Sequence, residues 1–508
     1  MTKKIILSDL LAHILESLSV ISPEVFLGAV FLLLIIVELI LYKYIFQKSD
    51  SLENSIAQSY QNTLWGISLI SVLIALNQII SQFSTTNDTF LFGEMLILDS
   101  KAIFFKIITT FSVIILLAHI YVSKRKYDGE FYPLLISILI GLNLMAMSVN
   151  LLMIYLSIEI VSISSYVLTT FNKTKKASEG GLKYIIFGAA SSAIMLYGMS
   201  LLYGMTGTLS IASPDFSRGI AQTDNLASTI AIVLTLSGFL FKISATPFHI
   251  WTPDVYQSAP TPIVAFFAVA PKIASFLVII RFYSIIPTDL TIITAIVALA
   301  SITFGNFSAL WQKDAKRLLA YSTIAHTGFM LIGLVMISEL GIKSVVFYLI
   351  VSLFTNFSAF LLIDYAANNT QGQKPDNASK FMIENFKGLG RLNPLFGILI
   401  LIVMISLAGL PPTGGFIAKL NIFSALWEAY QASGKQLLLL LFIFGLLNTV
   451  ISLSFYLKIP FLMFFKESEE GVTFKLSLEQ AVLAILLVFP ILALFFNADW
   501  LMNIINSL

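Results

Sequence analysis

The sequence predicts an all-α, polytopic membrane protein with about 14 transmembrane helices, and three observations support that fold class. Hydrophobic residues make up 57% of the 508 residues and charged residues only 11%, too few to cover a soluble protein of this size. Apolar runs of about 20 residues, the length that spans a bilayer, recur from end to end. Two of these runs contain clustered prolines, which are typical of interrupted membrane helices.

The composition also limits the function classes. The formal net charge is only +2, so we expect no nucleic-acid partner. The chain has no cysteine, which excludes disulfides and thiolate ligation of zinc or an iron–sulfur cluster by this chain. Four scattered histidines predict no metal site, and the sequence contains no glycine-rich nucleotide motif. We therefore expect this chain to bind no cofactor.

The N-terminal segment, MTKKIILSDLLAHILESLSV, does not resemble a cleaved signal peptide. Asp9 and Glu16 interrupt its apolar part, and no small-residue cleavage site follows. We expect this segment to remain in the protein as a short helix.

Fourteen apolar stretches predict the membrane spans. In chain order they cover residues 25–46, 62–83, 102–122, 132–149, 150–171, 180–205, 228–258, 261–282, 289–310, 316–336, 341–366, 393–428, 436–465 and 478–497. All of them belong to a single membrane domain, 1–508. The seventh, twelfth and thirteenth stretches are longer than one simple span requires.

The basic residues of the loops predict the orientation. They concentrate after the odd-numbered spans, as Lys43 and Lys48; Lys124, Arg125 and Lys126; Lys173, Lys175 and Lys176; Lys313, Lys316 and Arg317; Lys374, Lys380, Lys387 and Arg391; and Lys466 and Lys475. Because basic residues prefer the cytoplasmic side, these loops are predicted to be cytoplasmic. Both termini then face outward, although the Lys3–Lys4 pair opposes that assignment.

The prolines and glycines of two stretches predict broken helices. The seventh contains Pro247, Pro253, Pro260 and Pro262, and the twelfth contains Pro411, Pro412, Gly414 and Gly415. Proline removes a backbone donor and clashes with the preceding turn, and in lipid the freed groups need protein or water. The alternatives are a proline kink used for packing and a discontinuous helix at a transport site.

The two broken stretches lie five spans apart, which predicts two inverted repeats of five helices. The first repeat is placed at 132–285, covering helices 4–8, and the second at 289–466, covering helices 9–13. Because five is odd, the second unit has the opposite topology to the first.

Four charged residues lie deep inside predicted spans, where a lysine or an acid costs roughly 2.5–3.5 kcal/mol on insertion scales. Glu159 is in the middle of the fifth span, and Lys242 and Lys419 lie close to the two breaks. Lys272 follows Pro271 inside the eighth span. Each has a structural alternative: an ion pair for Glu159, a capping role for Lys242 and Lys419, and packing for Lys272.

Three further residues are weaker candidates. Lys183 lies near the start of the sixth span, where a lysine that reaches the interface is ordinary. His249 and His326 are candidates for proton relay because imidazole titrates near neutrality, although a lone histidine is more often simply hydrogen-bonded. Lys106, Glu38 and Lys458 are interpreted as end or packing residues.

Buried lysine suits proton transfer for a physical reason. Desolvation favours the neutral amine, and a nearby carboxylate favours the charged ammonium. A change in the distance between the two groups therefore loads or unloads a proton. Glu159 together with a lysine would form such a switch.

Three long motifs carry a specific resemblance to a known family. They are PFHIWTPDVYQSAPTPIVAFFAVAPK (247–272), RLLAYSTIAHTGFMLIGL (317–334) and LAGLPPTGGFIAKLNIF (407–423). The chain resembles the subunit N family of respiratory complex I, which is related to Mrp-type antiporter subunits. WTPDVYQSAPTP resembles N rather than the WLPDAH form of subunits L and M. Subunit M typically has glutamate where this chain has Lys419, and the long lateral helix of L is absent.

The resemblance implies roles for the charged residues. Glu159 and Lys183 match the family's acid–lysine pair, Lys242 the lysine of the first broken helix, Lys272 the connecting lysine and Lys419 the terminal lysine. It also implies a bacterial inner-membrane protein that works beside other membrane-arm subunits, including a neighbouring antiporter-like subunit. NADH, FMN, Fe–S clusters and quinone are expected in the partner subunits.

The leading interpretation is a proton-translocating subunit of NADH:quinone oxidoreductase. The first alternative is a subunit of a cation/proton antiporter without redox coupling, which would purify without flavin or Fe–S subunits. The second is a scaffold that transports nothing and tolerates neutral residues at all five charged positions.

Overall fold

A computed structural model describes residues 2–46, 53–85, 88–371 and 379–508. Two of the lysines used to orient the chain, Lys48 and Lys374, lie outside these residues. The described helices are α1 (Thr2–Val20), α2 (Ser22–Phe46), α3 (Glu53–Thr85), α4 (Ser100–Val122), α5 (Phe131–Met147), α6 (Leu151–Thr169), α7 (Lys175–Thr206), α8 (Pro214–Gln222), α9 (Asn225–Lys242), α10 (Thr252–Ser258), α11 (Thr261–Phe267), α12 (Ala270–Ile285), α13 (Thr291–Leu310), α14 (Ala315–Ile332), α15 (Glu339–Asn369), α16 (Leu389–Leu392), α17 (Pro394–Ala408), α18 (Gly414–Ser433), α19 (Gln436–Phe465), α20 (Leu478–Phe496) and α21 (Ala498–Asn506), with a 3-10 helix at Ile383–Phe386.

Helices long and apolar enough to cross a bilayer dominate the chain. Within the described ranges there are 11 of them, and three further apolar helices, Leu11–Val20, Phe131–Met147 and Pro394–Ala408, are shorter. The prediction of a mostly helical, multi-pass membrane protein is therefore confirmed.

The backbone is interrupted at both predicted positions. Helix α9 ends at Lys242 and helical structure resumes at Thr252, while α17 ends at Ala408 and α18 begins at Gly414. Gly409 has a φ of +81°, and a Cβ there would lie 2.5 Å from Cδ of Lys419. Only glycine therefore allows both this turn and the close approach of the lysine stem.

A third interruption was not predicted. The eighth stretch is divided into α11, which ends at Phe267, and α12, which begins at Ala270. Lys272 consequently lies in the first turn of α12, while Thr261–Ile285 as a whole remains long and apolar enough to cross a bilayer, as predicted for the eighth span. Pro271 occupies one of the first positions of α12, where its missing N–H costs no intrahelical hydrogen bond.

The centre of the bundle is formed by α11, α12 and α15, which are almost wholly buried, whereas α2, α19 and α20 are largely exposed. Helix α12 packs on α4, α5 and α9, and α15 packs on α11, α18 and α20. The exposed apolar faces of the outer helices are what a lipid environment allows.

The ends of the bundle carry short helices in addition to the predicted spans. The N-terminal helix α1 has 19 residues, and α8 and α21 are additional short helices. Helix α8 buries Phe216 and Ile220, and α21 buries Leu501 and Ile505. Such short amphipathic patterns are missed by a search for span-length apolar runs.

Two small antiparallel strand pairs are the exception to the all-α prediction. Strands β1 (Thr89–Leu91) and β2 (Leu96–Leu98) form a hairpin, and β3 (Thr370–Gln371) pairs with β4 (Thr473–Phe474). The hairpin packs with Ile21, Ile79 and Met147 over one end of the first helices.

Candidate functional site

Lys242 is the last residue of α9 and lies at the first break. Its side chain is only 2% exposed, and among the described residues its ammonium has no hydrogen-bond partner. Glu159 on α6 is close enough to act on it electrostatically. A buried ammonium without a hydrogen-bond partner is costly.

Lys272 is connected to the first break through one hydroxyl group. Its Nζ donates to Thr327 Oγ1 at 3.0 Å and to the Thr323 carbonyl at 3.3 Å. The Thr327 hydroxyl lies 2.7 Å from the carbonyl of Ile243, the residue after Lys242. The Thr327 hydroxyl on α14 therefore connects Lys272 to the backbone next to Lys242.

His326 continues this polar line on the same helix. Its Nδ1 lies 2.7 Å from the Tyr348 hydroxyl and its Nε2 3.1 Å from the Tyr456 hydroxyl, which also contacts Ser322 at 2.5 Å. The ring is within electrostatic range of both Lys272 and Lys419. The imidazole thus lies on α14 next to Thr327, the hydroxyl partner of Lys272.

Lys419 ends the line at the second break. Its Nζ donates to the carbonyl of Ala408 at 2.8 Å and to that of Leu407 at 3.4 Å, at the end of α17. The ammonium also lies 4.7 Å from the centre of the Phe329 ring. It borders a cavity of about 710 Å³ that continues past Glu428 between α18 and α19.

These side chains form one row, which we call the lysine row: Lys242, Thr327, Lys272, His326 and Lys419. In the described part of the chain, no carboxylate lies within 4.0 Å of any of its three lysines. Lys272 and Lys419 donate to hydroxyl and carbonyl oxygens, which accept a hydrogen bond without fixing the charge. Lys242 has no hydrogen-bond partner among the described residues.

Glu159 and Lys183 are not in contact, in contrast to the pairing that the resemblance implied. Glu159 accepts a hydrogen bond from Ser192 on α7, whereas Lys183 lies 2.9 Å from both Asp254 and Glu179. Lys183 and Ser192 are nine residues apart, roughly 13 Å along a helix. The ammonium therefore cannot reach the carboxylate. Asp254 is held on its other side by Arg317 at 2.6 Å.

His249 lies in the first break but apart from the lysine row. Its ring stacks on Phe304 of α13, with centroids 6.2 Å apart. Nδ1 is buried and has no hydrogen-bond partner within the described ranges. His249 therefore lies against α13, whereas His326 lies on α14 next to Thr327.

A buried ion pair outside the two predicted repeats was missed. Lys106 on α4 lies 2.8 Å from Glu24 on α2 and 3.0 Å from Gln82. Asn143 donates to the same carboxylate at 3.1 Å, and both charged side chains are almost completely buried. Lys106 was interpreted as an end residue because Glu24 is distant in sequence and no local pattern links the two.

A second buried cluster joins α4 to α15. Asp364 is 1% exposed and lies 2.5 Å from Arg125 and 3.2 Å from His119. The sequence signal was an aspartate inside the apolar run LLIDY, which was overlooked because it lies near the end of its span. Across the described ranges, no group of three or more histidine or acidic side chains is placed to hold a metal ion.

The family comparison covers most of this region. Residues 148–452 match the family described as NADH:quinone oxidoreductase/Mrp antiporter, TM. This range includes every charged residue of the candidate site, from Glu159 to Lys419.

Individual proteins extend the similarity to the whole chain. NADH-quinone oxidoreductase subunit N 2 of Chloroherpeton thalassium is 35% identical over 506 residues, covering 96% of this chain and 93% of that protein. A chain of respiratory complex I from Thermus thermophilus with bound aureothin is 27% identical, with a TM-score of 0.74 over 93% of this chain and 98% of that one. A chain of the Mrp complex from a Dietzia species is 18% identical, with a TM-score of 0.77 over 97% and 96%, and so shares the fold.

Proposed function

This chain belongs to the family of NADH-quinone oxidoreductase subunit N, and we propose that it is a proton-translocating subunit in the membrane arm of that oxidoreductase. Electron transfer from NADH to quinone takes place in partner subunits, which hold FMN and the Fe–S clusters. This chain moves protons in response, beside a neighbouring antiporter-like subunit.

The lysine row is the observation that carries the proposal. A transport path needs groups that bind a proton reversibly and are close enough to pass it on. Lys242, Lys272 and Lys419 are buried. Lys272 and Lys419 donate to hydroxyl or carbonyl oxygens, and the Lys242 ammonium has no partner among the described residues. His326, next to Thr327 on α14, adds a titratable imidazole that is hydrogen-bonded to two tyrosine hydroxyls. Protons pass along this row when water completes the remaining gaps.

Glu159 has the role of biasing Lys242. A carboxylate within electrostatic range favours the protonated lysine, and a displaced or neutralised carboxylate releases the proton. Lys183 is proposed to act at the more exposed end, where its pairs with Asp254 and Glu179 connect it to solvent. His249 remains a candidate for entry at the first break.

The architecture that we propose around this row has fourteen spans in two inverted repeats, 132–285 and 289–466. Corresponding pairs of helices pack together in both units: α5 on α6 as α13 on α14, and α7 on α9 as α15 on α17. Each unit then contributes one helix with a predicted proline break and a buried lysine near it, Lys242 in the first unit and Lys419 in the second.

The proposed location is the bacterial inner membrane, with both termini on the periplasmic side. The excess of lysine and arginine in the odd-numbered loops supports this orientation. A reporter that is active only in the cytoplasm should work in the 172–179 loop and fail at either terminus. A reporter active at the termini would reverse the orientation.

Two single variants of the assembled complex test the function. We expect Lys272→Met and Glu159→Ala to lower proton pumping per NADH oxidised at least about tenfold, because each removes a titrating or biasing group. Pumping is measured with a pH-sensitive dye in proteoliposomes, and NADH oxidation is measured in parallel. Lys458→Met, at an exposed position of α19, is the matched control. Normal pumping by both variants in a fully assembled complex would contradict a role of the lysine row in proton transfer.

The antiporter alternative has no separate support. The likeness to the Mrp chain, at 18% identity, extends to the fold alone. The scaffold alternative predicts normal pumping by Lys272→Met and Glu159→Ala. Reduced pumping by these variants would therefore exclude a scaffold, and normal pumping would support it.

A further inference from the structure

A fourth buried lysine, Lys316, lies at the start of α14 and is not part of the lysine row. It is one of the basic residues that predict the cytoplasmic side, yet its side chain is only 2% exposed. Its Nζ donates to the carbonyl of Ala259 at 2.6 Å and to that of Gln257 at 3.3 Å. No carboxylate lies within 4.0 Å of this ammonium in the described ranges. Lys316 therefore shares the burial and the uncharged partners of Lys272 and Lys419.

Two carboxylates act on Lys316 from a distance. Asp314 and Asp364 are within electrostatic range of its ammonium, and Arg125 opposes them. Asp364 is itself bound by Arg125, and one oxygen of Asp314 is buried without a hydrogen-bond partner among the residues that the structure describes. A carboxylate that is near but not bonded favours the ammonium without holding its proton in a contact pair. The same relation is proposed above between a carboxylate and the first lysine of the row.

A short loop covers the ammonium of Lys316. The half-buried ring of Phe381 lies over it, with 5.0 Å between Nζ and the ring centre. Phe381 belongs to the loop after α15, which the basic residues assign to the cytoplasm. Its carbonyl accepts a hydrogen bond from the N–H of Ala315 at 2.8 Å, which ties the loop to the start of α14. Lys316 is therefore buried at the end of the bundle that faces the cytoplasm.

Helix α14 connects Lys316 with the centre of the lysine row. Lys316, Thr323 and Thr327 are spaced by seven and four residues and so lie on one face of the helix. Lys272 donates to the Thr323 carbonyl and to the Thr327 hydroxyl. The rise from Lys316 to Thr327 is roughly 16 Å, which is close to half of the hydrocarbon core of a bilayer. A proton that enters at Lys316 has this distance to cover before it reaches the row.

Helix α10, which packs on α14, carries two buried hydroxyl groups, those of Tyr256 and Thr252. Tyr256 directly precedes one of the two residues whose carbonyls accept from Lys316, and Thr252 is one turn earlier. Within the described part of the chain, neither hydroxyl has a hydrogen-bond partner, nor have those of Ser244 and Thr246 in the first break. Buried hydroxyls of this kind are normally hydrogen-bonded to internal water. The segment between the first break and Lys316 thus offers four binding positions for water.

We propose that Lys316 is a proton-carrying residue that takes protons from the cytoplasmic side and passes them along the interface of α10 and α14 to the lysine row. The Lys316 ammonium gives a proton to a neighbouring water, and the hydroxyls of Tyr256 and Thr252 each accept one proton as they donate another. The proton at the far end binds the amine of Lys272, and the Lys316 amine regains one from the cytoplasm. Only N–H and O–H bonds form and break. The inference rests on the proposed function, because it names the entry residue for the same row.

The variant Lys316→Arg separates proton transfer from a purely structural role. A lysine that donates to terminal carbonyls also stabilises the C-terminus of a helix, here that of α10. Arginine keeps the positive charge and the donors, but it cannot be deprotonated in a protein. We therefore expect Lys316→Arg to assemble into the complex and to lose as much proton pumping per NADH oxidised as Lys272→Met does. Lys313→Arg, at an exposed position nearby, is the matched control and should pump normally.

The variant Tyr256→Phe tests the route without changing a charge. It removes one buried hydroxyl and keeps the ring, so we expect pumping to fall severalfold in a fully assembled complex. Tyr283→Phe, which removes a buried hydroxyl that contacts Thr294 at the other end of the bundle, is its control. If Lys316→Arg failed to assemble, Tyr256→Phe would decide alone, and normal pumping by it would overturn the proposal.

The combination of results separates this inference from the proposed function. Reduced pumping by Lys272→Met with normal pumping by Lys316→Arg would overturn the inference alone and assign Lys316 to the helix end. Normal pumping by Lys272→Met would overturn both, since Lys316 would have no row to supply. Equal losses in Lys316→Arg and Lys313→Arg would show a general effect of arginine at this surface and would also overturn the inference.

Discussion

Two sets of buried lysines in this protein have opposite surroundings. Lys106 lies 2.8 Å from a carboxylate and is also bonded to Gln82, and Asn143 holds the carboxylate in place. Lys242, Lys272 and Lys419 are equally buried, yet hydroxyls, carbonyls or no partner at all surround them. Burial alone therefore does not identify a transport residue.

The difference lies in what happens when a proton leaves. Deprotonation of Lys106 would leave Glu24 as an uncompensated charge inside the bundle, which is costly. Deprotonation of Lys272 or Lys419 removes a buried positive charge and leaves no carboxylate within 4.0 Å uncompensated in the described part of the chain. The first arrangement holds helices together, and the second permits a change of charge.

The largest expected effect is a loss of stability when Lys106 is replaced. Lys106→Met should destabilise the protein by about 3–5 kcal/mol, because the Glu24 carboxylate stays buried without its partner. Lys272→Met, with a similar volume, should change stability by less than about 1.5 kcal/mol, since no charge is left behind. Thermal unfolding of the purified complex and the yield of assembled complex measure both.

A second substitution makes this test specific. Adding Glu24→Gln to Lys106→Met should restore much of the lost stability, because the unpaired charge is removed with its partner. If the double variant were as unstable as the single one, packing rather than charge would explain the effect. If Lys272→Met unfolded the protein as strongly as Lys106→Met, the two sets of lysines would not differ.

The smallest expected effect concerns an ion pair at the surface. Its contribution to stability can be compared with that of the buried pair between Lys106 and Glu24. Asp289 accepts hydrogen bonds from Thr291 and lies 3.0 Å from Lys435. The Thr291 hydrogen bonds, and then that of Lys435, lower the pKa of Asp289 from 3.8 to about 2. Because this folded-state pKa is depressed, its stabilising contribution is present above about pH 4 and lost as the pH falls toward 2.

Asp289→Asn should therefore cost well under 1 kcal/mol at pH 7, since both side chains of the pair are largely exposed and screened by salt. The cost should be constant between pH 5 and pH 8 and shrink below about pH 4. Thermal unfolding at several pH values measures it. A cost that grew on acidification would contradict the assigned direction.

The features that sequence could predict are the local ones. The apolar runs marked the helices, the prolines marked both breaks, and Lys242, Lys272 and Lys419 were conspicuous because charge is rare in such runs. All three are buried as expected. The sequence could not predict which side chains meet, since that depends on helices far apart in the chain.

The misassigned partners illustrate this limit. Lys183 was matched with Glu159, yet the rise of α7 separates the two and Asp254, on another helix, is its neighbour. Lys106 was dismissed because Glu24 lies two helices away. The division of the eighth span between α11 and α12 was missed because a single proline has two common positions. Pro271 could have kinked one continuous helix, or it could have stood at the start of a new one, as it does in α12.

The contact between Lys419 and the end of α17 has a consequence for energy conversion. A helix C-terminus carries the equivalent of about half a negative charge, built from aligned peptide dipoles. Lys419 faces such a terminus at Ala408, and Lys242 stands at the terminus of its own helix. These dipoles stabilise an ammonium, but they cannot titrate and they do not move unless the helix moves. They supply a constant background attraction. Under the proposed function, the change in proton affinity during a cycle would therefore have to come from mobile partners: water, the imidazole of His326, or Glu159.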